Sequence, residues 1–206
     1  MKTREEVIPF LLNSSNAKLG LELGVFKGEF SKVLLNNWGG KLYMIDPWRP
    51  LGDEYDDSCD ATQLHSLYAN TAINIKGHET RGFMLRGLGE ELIDLFDYES
   101  LDFIYIDANH AYDYVKNDME MWYPKLKKGG IFAGHDYLNI DWNGDPGHDY
   151  PLCENGKDRQ IFSHNQEGRY FAGIFGVNPA VDEFCKLHNK KRKVTDEFWG
   201  SWYFTK

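Results

Sequence analysis

The sequence predicts an α/β fold in which a doubly wound, mostly parallel sheet carries helices on both faces. Two observations lead to this prediction: short apolar runs alternate with amphipathic stretches, and glycine-containing or acidic turns follow several of the apolar runs. Strands that alternate with helices of this length imply right-handed βαβ crossovers, which place parallel strands side by side. With 206 residues, the chain has enough length for a substantial core. We therefore predict a single domain over residues 1–206.

The first half of the chain supplies three of the predicted strands. A short helix over residues 3–12 leads, and the chain then alternates between strand and helix. The predicted elements are a strand at 19–25, a helix at 29–36, a strand at 41–45, a helix at about 60–75, a strand at 82–85 and a helix at about 90–96.

The second half supplies four more strands. Residues 101–106 (Leu-Asp-Phe-Ile-Tyr-Ile) are the most β-rich run, and the following helix at 112–123 carries one apolar stripe for docking on a sheet. Gly129 and Gly130 predict a turn before a fifth strand at 131–133. The remaining predicted elements are a strand at 172–177, a helix at 179–188 and a terminal strand at 201–204, giving seven strands in all.

Residues 137–170 interrupt this rhythm. They are polar, rich in Gly, Asn and Asp, and include Trp142, His148 and Tyr150. An irregular segment of this length is usually functional or disordered. Because it follows the fifth strand at the expected ligand-binding edge, we interpret it as a substrate lid and call it the lid segment; a mobile surface loop is the alternative.

The composition excludes several function classes. The formal net charge is −9 and no long basic face is present, whereas nucleic-acid binding needs a dense cationic surface. We therefore expect no nucleic-acid partner and favour a small or cationic substrate. Cys59, Cys153 and Cys185 are too few and too scattered for a disulfide framework, and no CxxC spacing occurs. We expect a cytoplasmic protein with no membrane partner, since the apolar run at 7–12 is short and contains Pro9.

A glycine-containing turn follows the first predicted strand. Gly24 lets the backbone turn sharply and approach a ligand, and Gly28 leaves room at the start of the next helix. The pattern differs from the dinucleotide fingerprint G-x-G-x-x-G because Phe26 stands at the second glycine position. This disfavours a nicotinamide-dependent oxidoreductase and suits a cofactor that has an amino-acid tail and no phosphates.

Asp46 ends the second predicted strand. An acidic residue about 20 positions beyond the glycine turn is suitably placed to accept both hydroxyls of a ribose. The following Trp48 could cover one face of an adenine. The alternative role for Asp46 is that of a helix cap or loop carboxylate.

Polar residues also end the fourth and fifth strands. In a doubly wound sheet these ends are neighbours, so Asp107, His135 and Asp136 are expected to converge. Carboxylates with an imidazole suit a divalent cation such as Mg²⁺, Ca²⁺ or Mn²⁺, which would orient a substrate hydroxyl and lower its pKa. A metal-free polar pocket is the alternative. The same three residues also admit a metal-dependent hydroxylase or hydrolase.

Several motifs together resemble the class I S-adenosylmethionine-dependent methyltransferases, and within them the methyltransferase-24 group that includes the macrocin-type O-methyltransferases. The matching segments cover most of the chain outside the lid segment. They are Glu22-Leu-Gly-Val-Phe-Lys-Gly28, Tyr105-Ile-Asp-Ala-Asn-His-Ala-Tyr112, Gly129-Gly-Ile-Phe-Ala-Gly-His-Asp-Tyr137, Phe175-Gly-Val-Asn-Pro-Ala-Val-Asp182 and Ser201-Trp-Tyr-Phe204. The resemblance implies a Rossmann-like sheet of seven strands.

The resemblance also implies a cofactor site for S-adenosylmethionine. Many relatives carry an Asp-Ser pair where this chain has Leu88-Gly89, and some metal-dependent relatives carry two carboxylates where it has His135-Asp136. The resemblance implies Gly24, Phe26 and Gly28 at the methionine end, Asp46 at the ribose, and Arg86, Gly87 and Leu88 near the adenine. The predicted cofactor-binding set also includes Glu22, Lys27, Trp48 and Asp107.

The implied reaction is methylation of a hydroxyl on a small molecule, either a sugar or a secondary metabolite. His110 is the first candidate for the base that removes the acceptor proton, and His135 is the second, because imidazole titrates near neutral pH. A structural or ligand-positioning role is the alternative for both. A cofactor-binding module without catalytic activity also stays open, and a homodimer is the expected assembly.

Overall fold

The structure is a computed structural model that describes residues 2–51, 61–139, 150–165 and 168–206. The helices within these ranges are α1 Arg4–Ser14, α2 Glu29–Asn37, α3 Ala61–Asn74, α4 Gly89–Leu92, α5 Tyr112–Trp122 and α6 Val177–Leu187. The strands are β1 Leu19–Leu23, β2 Lys41–Asp46, β3 Gly82–Arg86, β4 Leu101–Ile106, β5 Leu126–Leu138, β6 Arg159–Asn165, β7 Gly168–Phe175, β8 Lys193–Val194 and β9 Trp199–Thr205.

Seven strands form one sheet in the order β3-β2-β1-β4-β5-β9-β8. The strands from β3 to β5 run parallel, and β9 pairs antiparallel with both β5 and β8. The strand order reverses between β1 and β4, and a ligand crevice is expected beyond the carboxyl ends of the strands at such a point. The predicted α/β class, doubly wound order and mostly parallel pairing are confirmed.

The sheet is buried on both faces. Successive side chains of a strand point to opposite faces, and in β4 Phe103 and Tyr105 join the core on one face while Ile104 and Ile106 join the core on the other. Helices α1 and α2 cover the first of these faces and helices α5 and α6 cover the second. Burial on both sides explains why β4 reads as a nearly continuous apolar run in the sequence.

The prediction of a sheet strand at 172–177 is wrong in two respects. The strand does not belong to the seven-stranded sheet, and it ends at Phe175. Strand β7 instead pairs with β6 in a separate two-stranded hairpin, and Val177 is the first residue of α6. The seventh strand of the sheet is the two-residue β8, which follows α6. The side-chain period in β7 fits a strand of either kind, so the sequence did not distinguish a hairpin arm from a sheet member.

The lid segment is more regular than the sequence predicted. Its first residues, Tyr137 and Leu138, complete β5, and its second half contains β6 and the beginning of β7. Trp142 and His148 lie outside the described residues. Strand β5 also begins earlier than predicted, and a register shift against β4 accommodates Gly129 and Gly130 within the strand.

Two smaller findings concern the helices. The helix predicted at 90–96 is a four-residue α-helix followed by a 3₁₀ turn at Ile93–Leu95. In the part of the chain that the structure describes, no helix is both long enough and apolar enough to cross a membrane.

Candidate active site

A cavity of about 870 Å³ opens at the carboxyl ends of the parallel strands. One end is lined by the loop after β3, which contains Leu88 and Gly89, and the opposite end by Phe175 of β7 and Trp199 of β9. Between the two ends lie the turn after β1 and the residues that follow β2, β4 and β5. The cavity thus lies at the position that the strand order predicts.

The turn after β1 depends on two glycines. Gly24 has a φ of +79°, and a Cβ on it would lie 1.9 Å from the carbonyl oxygen of Asp107. Gly28 has a φ of +73°, and its Cβ would lie 2.8 Å from a methyl group of Thr71. Both residues combine left-handed backbone with close approach, a combination that only glycine tolerates. The backbone therefore lies directly against the cavity after β1.

Asp46 holds the same turn from the neighbouring strand. One carboxylate oxygen accepts hydrogen bonds from the backbone N–H groups of Val25 and Phe26, each at 2.9 Å, and the other accepts from Trp48 N–H at 2.9 Å. Phe26 and Trp48 both have positive φ values, a strain that is found most often at functional sites. Asp46 also lines the cavity, so it both shapes the turn and faces the ligand space.

The structure buries Trp48 rather than exposing it to the cavity. Its side chain is 1% exposed, its indole N–H donates to Phe26 O at 2.8 Å, and its ring packs edge-on against Tyr68. Of the described residues that line the cavity, Pro47 and Arg49 flank this position and Trp48 is absent. Trp48 thus packs beneath the turn after β1, whereas the sequence predicted that it covers one face of an adenine.

Of the three residues predicted to lie near the adenine, one lines the cavity and two lie outside its lining. Leu88 lines the cavity. Arg86 instead donates to the carbonyl oxygens of Pro47 and Trp48, and Gly87 N–H donates to Asp46 O. Arg86 and Gly87 therefore hold the loops after β2 and β3 together from outside the cavity lining.

Glu22 is a buried carboxyl group in β1. It is 1% exposed, and the hydroxyl of Ser31 donates to it at 2.5 Å. Burial raises the pKa of Glu22 to about 8, and the hydrogen bond from Ser31 only partly opposes this shift. The group is therefore mostly neutral at pH 7.

Phe26 and Lys27, from the same predicted set, line the cavity, and Lys27 lies 3.7 Å from Glu29.

Four polar side chains converge where β4 and β5 end. His110 Nε2 lies 2.7 Å from Asp136 Oδ2 and 3.8 Å from Asp107 Oδ1. His135 Nδ1 lies 3.0 Å from Asp136 Oδ1 and 3.7 Å from Asp107 Oδ1. All four line the cavity. The structure thus brings together the residues that the sequence placed on two separate strands.

A bulge in β5 directs this cluster. The register between β5 and β9 shifts between Gly134 and Tyr137, and Asp136 has a positive φ of 55°. Bulges re-aim side chains and are common beside active sites. The bulge lets the consecutive residues His135 and Asp136 both line the cavity, which regular alternation along a strand would prevent.

The electrostatics distinguish the two histidines. Burial alone would lower the pKa of His110, but its hydrogen bonds to Asp107 and Asp136 and the charges of those carboxylates raise it to about 10. Burial would raise the pKa of Asp136, whereas its hydrogen bonds to His110 and His135 hold it below the usual range. The hydrogen bonds to the two carboxylates therefore favour the imidazolium form of His110, which makes His135 the stronger candidate for the base.

The structure assembles a candidate metal set that differs by one residue from the predicted one. Ligand atoms of Asp107, His110 and Asp136 all lie within 4.8 Å of one another, whereas the sequence predicted His135 in place of His110. Arg4 of α1 donates to Asp107 Oδ2 at 3.2 Å and lies over the ring of Phe30. A cation in this set would share Asp107 with a guanidinium.

The sequence did not indicate that Arg4, Trp199 and Phe175 line the site or that Phe175 contacts His110. The ring of Phe175 stacks on His110 at 4.6 Å with an interplanar angle of 11°, and it packs against Trp199 at 5.1 Å. Arg4 is 103 positions from Asp107 in the sequence. Such contacts arise from tertiary packing, and no local pattern in the chain signals them.

The chain belongs to a methyltransferase family. Residues 21–137 match the family model Methyltransf_24, described as a methyltransferase domain, and they span the turn after β1, Asp46, Asp107 and the β5 bulge. The resemblance to class I S-adenosylmethionine-dependent methyltransferases is thereby confirmed.

Solved structures show the same fold, and a curated protein is related to part of the chain. A candidate caffeoyl-CoA O-methyltransferase from Staphylococcus aureus superimposes with a TM-score of 0.66 at 16% identity, covering 100% of this chain and 85% of that one. An O-methyltransferase from Bacillus cereus in complex with S-adenosylhomocysteine gives 0.62 at 14% identity, covering 98% and 80%. The uncharacterized protein R132 of Acanthamoeba polyphaga mimivirus is 28% identical over 127 residues, which are 60% of this chain and 53% of that protein. The match thus spans about half the length of this curated relative.

Proposed function

We propose that the protein transfers the methyl group of S-adenosylmethionine to a hydroxyl group of a small molecule. The observation that carries the proposal is one cavity with a glycine turn and a ribose-type carboxylate on one side and a histidine–carboxylate cluster on the other. Family membership supports the methyltransferase class. The Bacillus cereus structure, an O-methyltransferase with a bound S-adenosylhomocysteine, supports both the cofactor and an oxygen acceptor.

The turn after β1 and Asp46 are proposed to hold the cofactor. Gly24 and Asp107 both line the cavity, where the methionine end would lie, and Asp46 faces the cavity at the end of β2, where a ribose would lie. When bound, the cofactor supplies a methyl group already activated by a sulfonium. The protein's remaining work is to align the acceptor and remove its proton.

The cluster after β4 and β5 is proposed to act on the acceptor. If His135 donates its Nδ1–H to Asp136, its Nε2 keeps a lone pair that can accept the proton of an acceptor hydroxyl. Imidazolium His110 balances the charge of Asp136 and stacks on Phe175, which fixes its ring. In this arrangement His135 is the base and His110 is a positioning residue.

A divalent cation is the further proposal at this cluster. Asp107 and Asp136 with an imidazole nitrogen offer a mixed oxygen and nitrogen set within a suitable span, which fits Mn²⁺ better than Mg²⁺ because imidazole is a softer ligand than Mg²⁺ prefers. Bound there, a cation would lower the pKa of an acceptor hydroxyl. It would also displace the proton from His110, so cation binding is expected to strengthen as pH rises.

Three broader predictions accompany this function. We propose that the chain acts as one domain, since the predicted lid segment contributes β6 and β7, and residues of β7 line the cavity. A cytoplasmic location agrees with the two described cysteines, which are unpaired. A homodimer stays a prediction.

The decisive experiment combines cofactor binding with an acceptor screen. Calorimetry with S-adenosylhomocysteine should give micromolar binding that Asp46→Ala weakens, and radiolabelled S-adenosylmethionine should then methylate members of a library of hydroxylated small molecules. His135→Gln should abolish turnover while retaining cofactor binding. Activity should be measured with EDTA and with Mn²⁺ or Mg²⁺ to test the cation. An absence of cofactor binding would refute the proposal, and binding without turnover on any acceptor would support the silent-module alternative.

A further inference from the structure

Several carboxylates that line the cavity have no role in the proposed mechanism, and Asp118 is one of them. Asp118 of α5 lines the cavity on the side of the loop after β3. Among the residues that the structure describes, its carboxylate accepts no hydrogen bond and forms no ion pair. Burial, together with the negative charge of Glu90, raises the pKa of Asp118 to about 7. A partly buried carboxylate without a partner is unfavourable, and a ligand that donates a hydrogen bond to it would relieve this cost.

Gly89 packs close to this carboxylate, and the absence of a side chain at Gly89 keeps the position next to it narrow but unfilled. A Cβ on Gly89 would lie 3.8 Å from Asp118 Oδ1, 3.5 Å from a methyl carbon of Leu23 and 3.1 Å from Trp122 Nε1. The Trp122 indole N–H is buried and has no acceptor among the described residues. This corner, which we call the Gly89 corner and define by Gly89, Asp118 and Trp122, therefore contains an acceptor that lines the cavity and a fully buried donor, and neither has a partner among the described residues.

The strand order indicates which part of the cofactor reaches this corner. In the proposed complex the methionine end lies at β1 and β4, beside Gly24 and Asp107, and the ribose lies at β2, beside Asp46. Because β3 is the next strand beyond β2, the base projects toward the loop after β3. The Gly89 corner lies at that loop.

We propose that Asp118 accepts a hydrogen bond from the exocyclic amino group of the cofactor's adenine and thereby selects adenine over its deaminated counterpart. This inference rests on the proposed function. Adenine presents an amino donor at position 6, whereas hypoxanthine presents a carbonyl acceptor there. A carboxylate pairs with the first and repels the second. Asp118 thus supplies a polar contact in a chain whose loop after β3 has Leu88-Gly89 where many relatives have Asp-Ser.

The test measures the binding of S-adenosylhomocysteine and S-inosylhomocysteine by calorimetry. At about pH 8.5, above the raised pKa of Asp118, the wild type is expected to bind the inosine compound at least about tenfold more weakly, because a hydrogen bond to a charged group is lost and a repulsion replaces it. Asp118→Asn is expected to bind S-adenosylhomocysteine about tenfold more weakly. It should also narrow the ratio between the two compounds to about threefold or less, because the amide can donate to a carbonyl.

Glu90→Gln is the matched control. It removes a neighbouring negative charge that also lines the cavity, and it should keep the wild-type ratio between the two compounds. Gly89→Ala provides a second test that does not alter Asp118, since the added methyl occupies the corner and should weaken both compounds about fivefold.

The outcomes separate this inference from the function on which it rests. Tight wild-type binding of S-adenosylhomocysteine with no discrimination, or a ratio that Asp118→Asn leaves unchanged, would overturn the role of Asp118 and leave the proposed function intact. Unchanged binding in Gly89→Ala would show that the base does not reach the corner. Failure of the wild type to bind either compound would overturn both.

Discussion

The two sides of the cavity are built in different ways. On the β1–β2 side, the ligand space is shaped by backbone: Gly24 approaches Asp107 closely, and three N–H groups donate to Asp46. On the β4–β5 side, it is shaped by charged and aromatic side chains, with His110 held between Asp136 and Phe175. The backbone side is suited to a constant ligand, and the side-chain side can change its acceptor by substitution without disturbing the turn.

The largest expected effect comes from adding a side chain at Gly24, where the turn after β1 contacts the backbone of Asp107. Gly24→Ala forces a Cβ into the Asp107 carbonyl and strains a positive φ, so we expect a loss of about 3 kcal/mol in the free energy of unfolding and no measurable cofactor binding. Urea unfolding and calorimetry with S-adenosylhomocysteine measure both effects. Gly129→Ala is the control, because Gly129 has nearly the same φ (+80°) but no atom within 4 Å of its Cβ position. Equal losses in the two variants would show that backbone strain, and not close approach, explains Gly24.

The next effect concerns the neutral carboxyl on the backbone side. Because the folded-state pKa of Glu22 is raised from 4.5 to about 8, the folded protein keeps a proton that the unfolded chain releases above pH 4.5. The stabilising contribution is therefore fully present below about pH 4.5 and is lost as pH rises to about 8. Relative to Glu22→Gln, the wild type should lose on the order of 3 kcal/mol of stability between about pH 5 and pH 8. Unfolding curves for both proteins at the two pH values measure this difference. A constant difference across that range would mean that Glu22 is ionised in the folded protein.

Asp46→Asn tests whether the β1–β2 side binds the cofactor, and the chain contains a second carboxylate that serves as a matched control. Asp102 also accepts two backbone N–H bonds at 2.9 Å, from Lys18 and Leu19, but it does not line the cavity. Both Asp46→Asn and Asp102→Asn should lower the free energy of unfolding by about 1–2 kcal/mol. Only Asp46→Asn should weaken S-adenosylhomocysteine binding, by about tenfold. Similar affinities in the two variants would assign Asp46 a purely structural role.

The smallest expected effect concerns the β4–β5 side of the cavity, and it is tested by a substitution that loosens the β6–β7 hairpin. Asp158 is buried, and it accepts a hydrogen bond from Tyr112 N–H at 2.7 Å, which attaches the segment before β6 to the start of α5. Asp158→Ala should cost about 1 kcal/mol of stability and raise the KM for the acceptor a few-fold while leaving cofactor affinity unchanged. Steady-state kinetics with an acceptor found in the screen measure the change. The control is Asp113→Ala, an exposed position in the first turn of the same helix. A larger change in cofactor affinity than in acceptor KM would indicate that the hairpin acts on the cofactor side.

The difference between the two sides also explains which parts of the site could be predicted. Gly24, Gly28 and Asp46 lie within 25 consecutive positions, and the strand–turn–helix pattern around them assigns their roles. Arg4, His110, Phe175 and Trp199 come from four distant segments, and no periodicity relates them. The structure likewise buries Trp48 and surrounds His110 with carboxylates, and neither feature could be read from the sequence. The direction of an indole and the pKa of an imidazole depend on neighbours that the chain brings together only on folding.

Local sequence patterns were enough to predict the α/β class, the parallel pairing of the central strands, the family and the glycine turn after β1, because apolar period and glycine placement act over a few residues. Only the folded chain shows that β7 leaves the sheet for a hairpin beside the cavity, that a bulge at Asp136 turns two consecutive side chains toward one space, and that Asp118 lies beside Gly89 with no partner among the described residues. These features depend on packing and electrostatic contacts between residues far apart in the chain, and their free energies exist only when those residues are brought together.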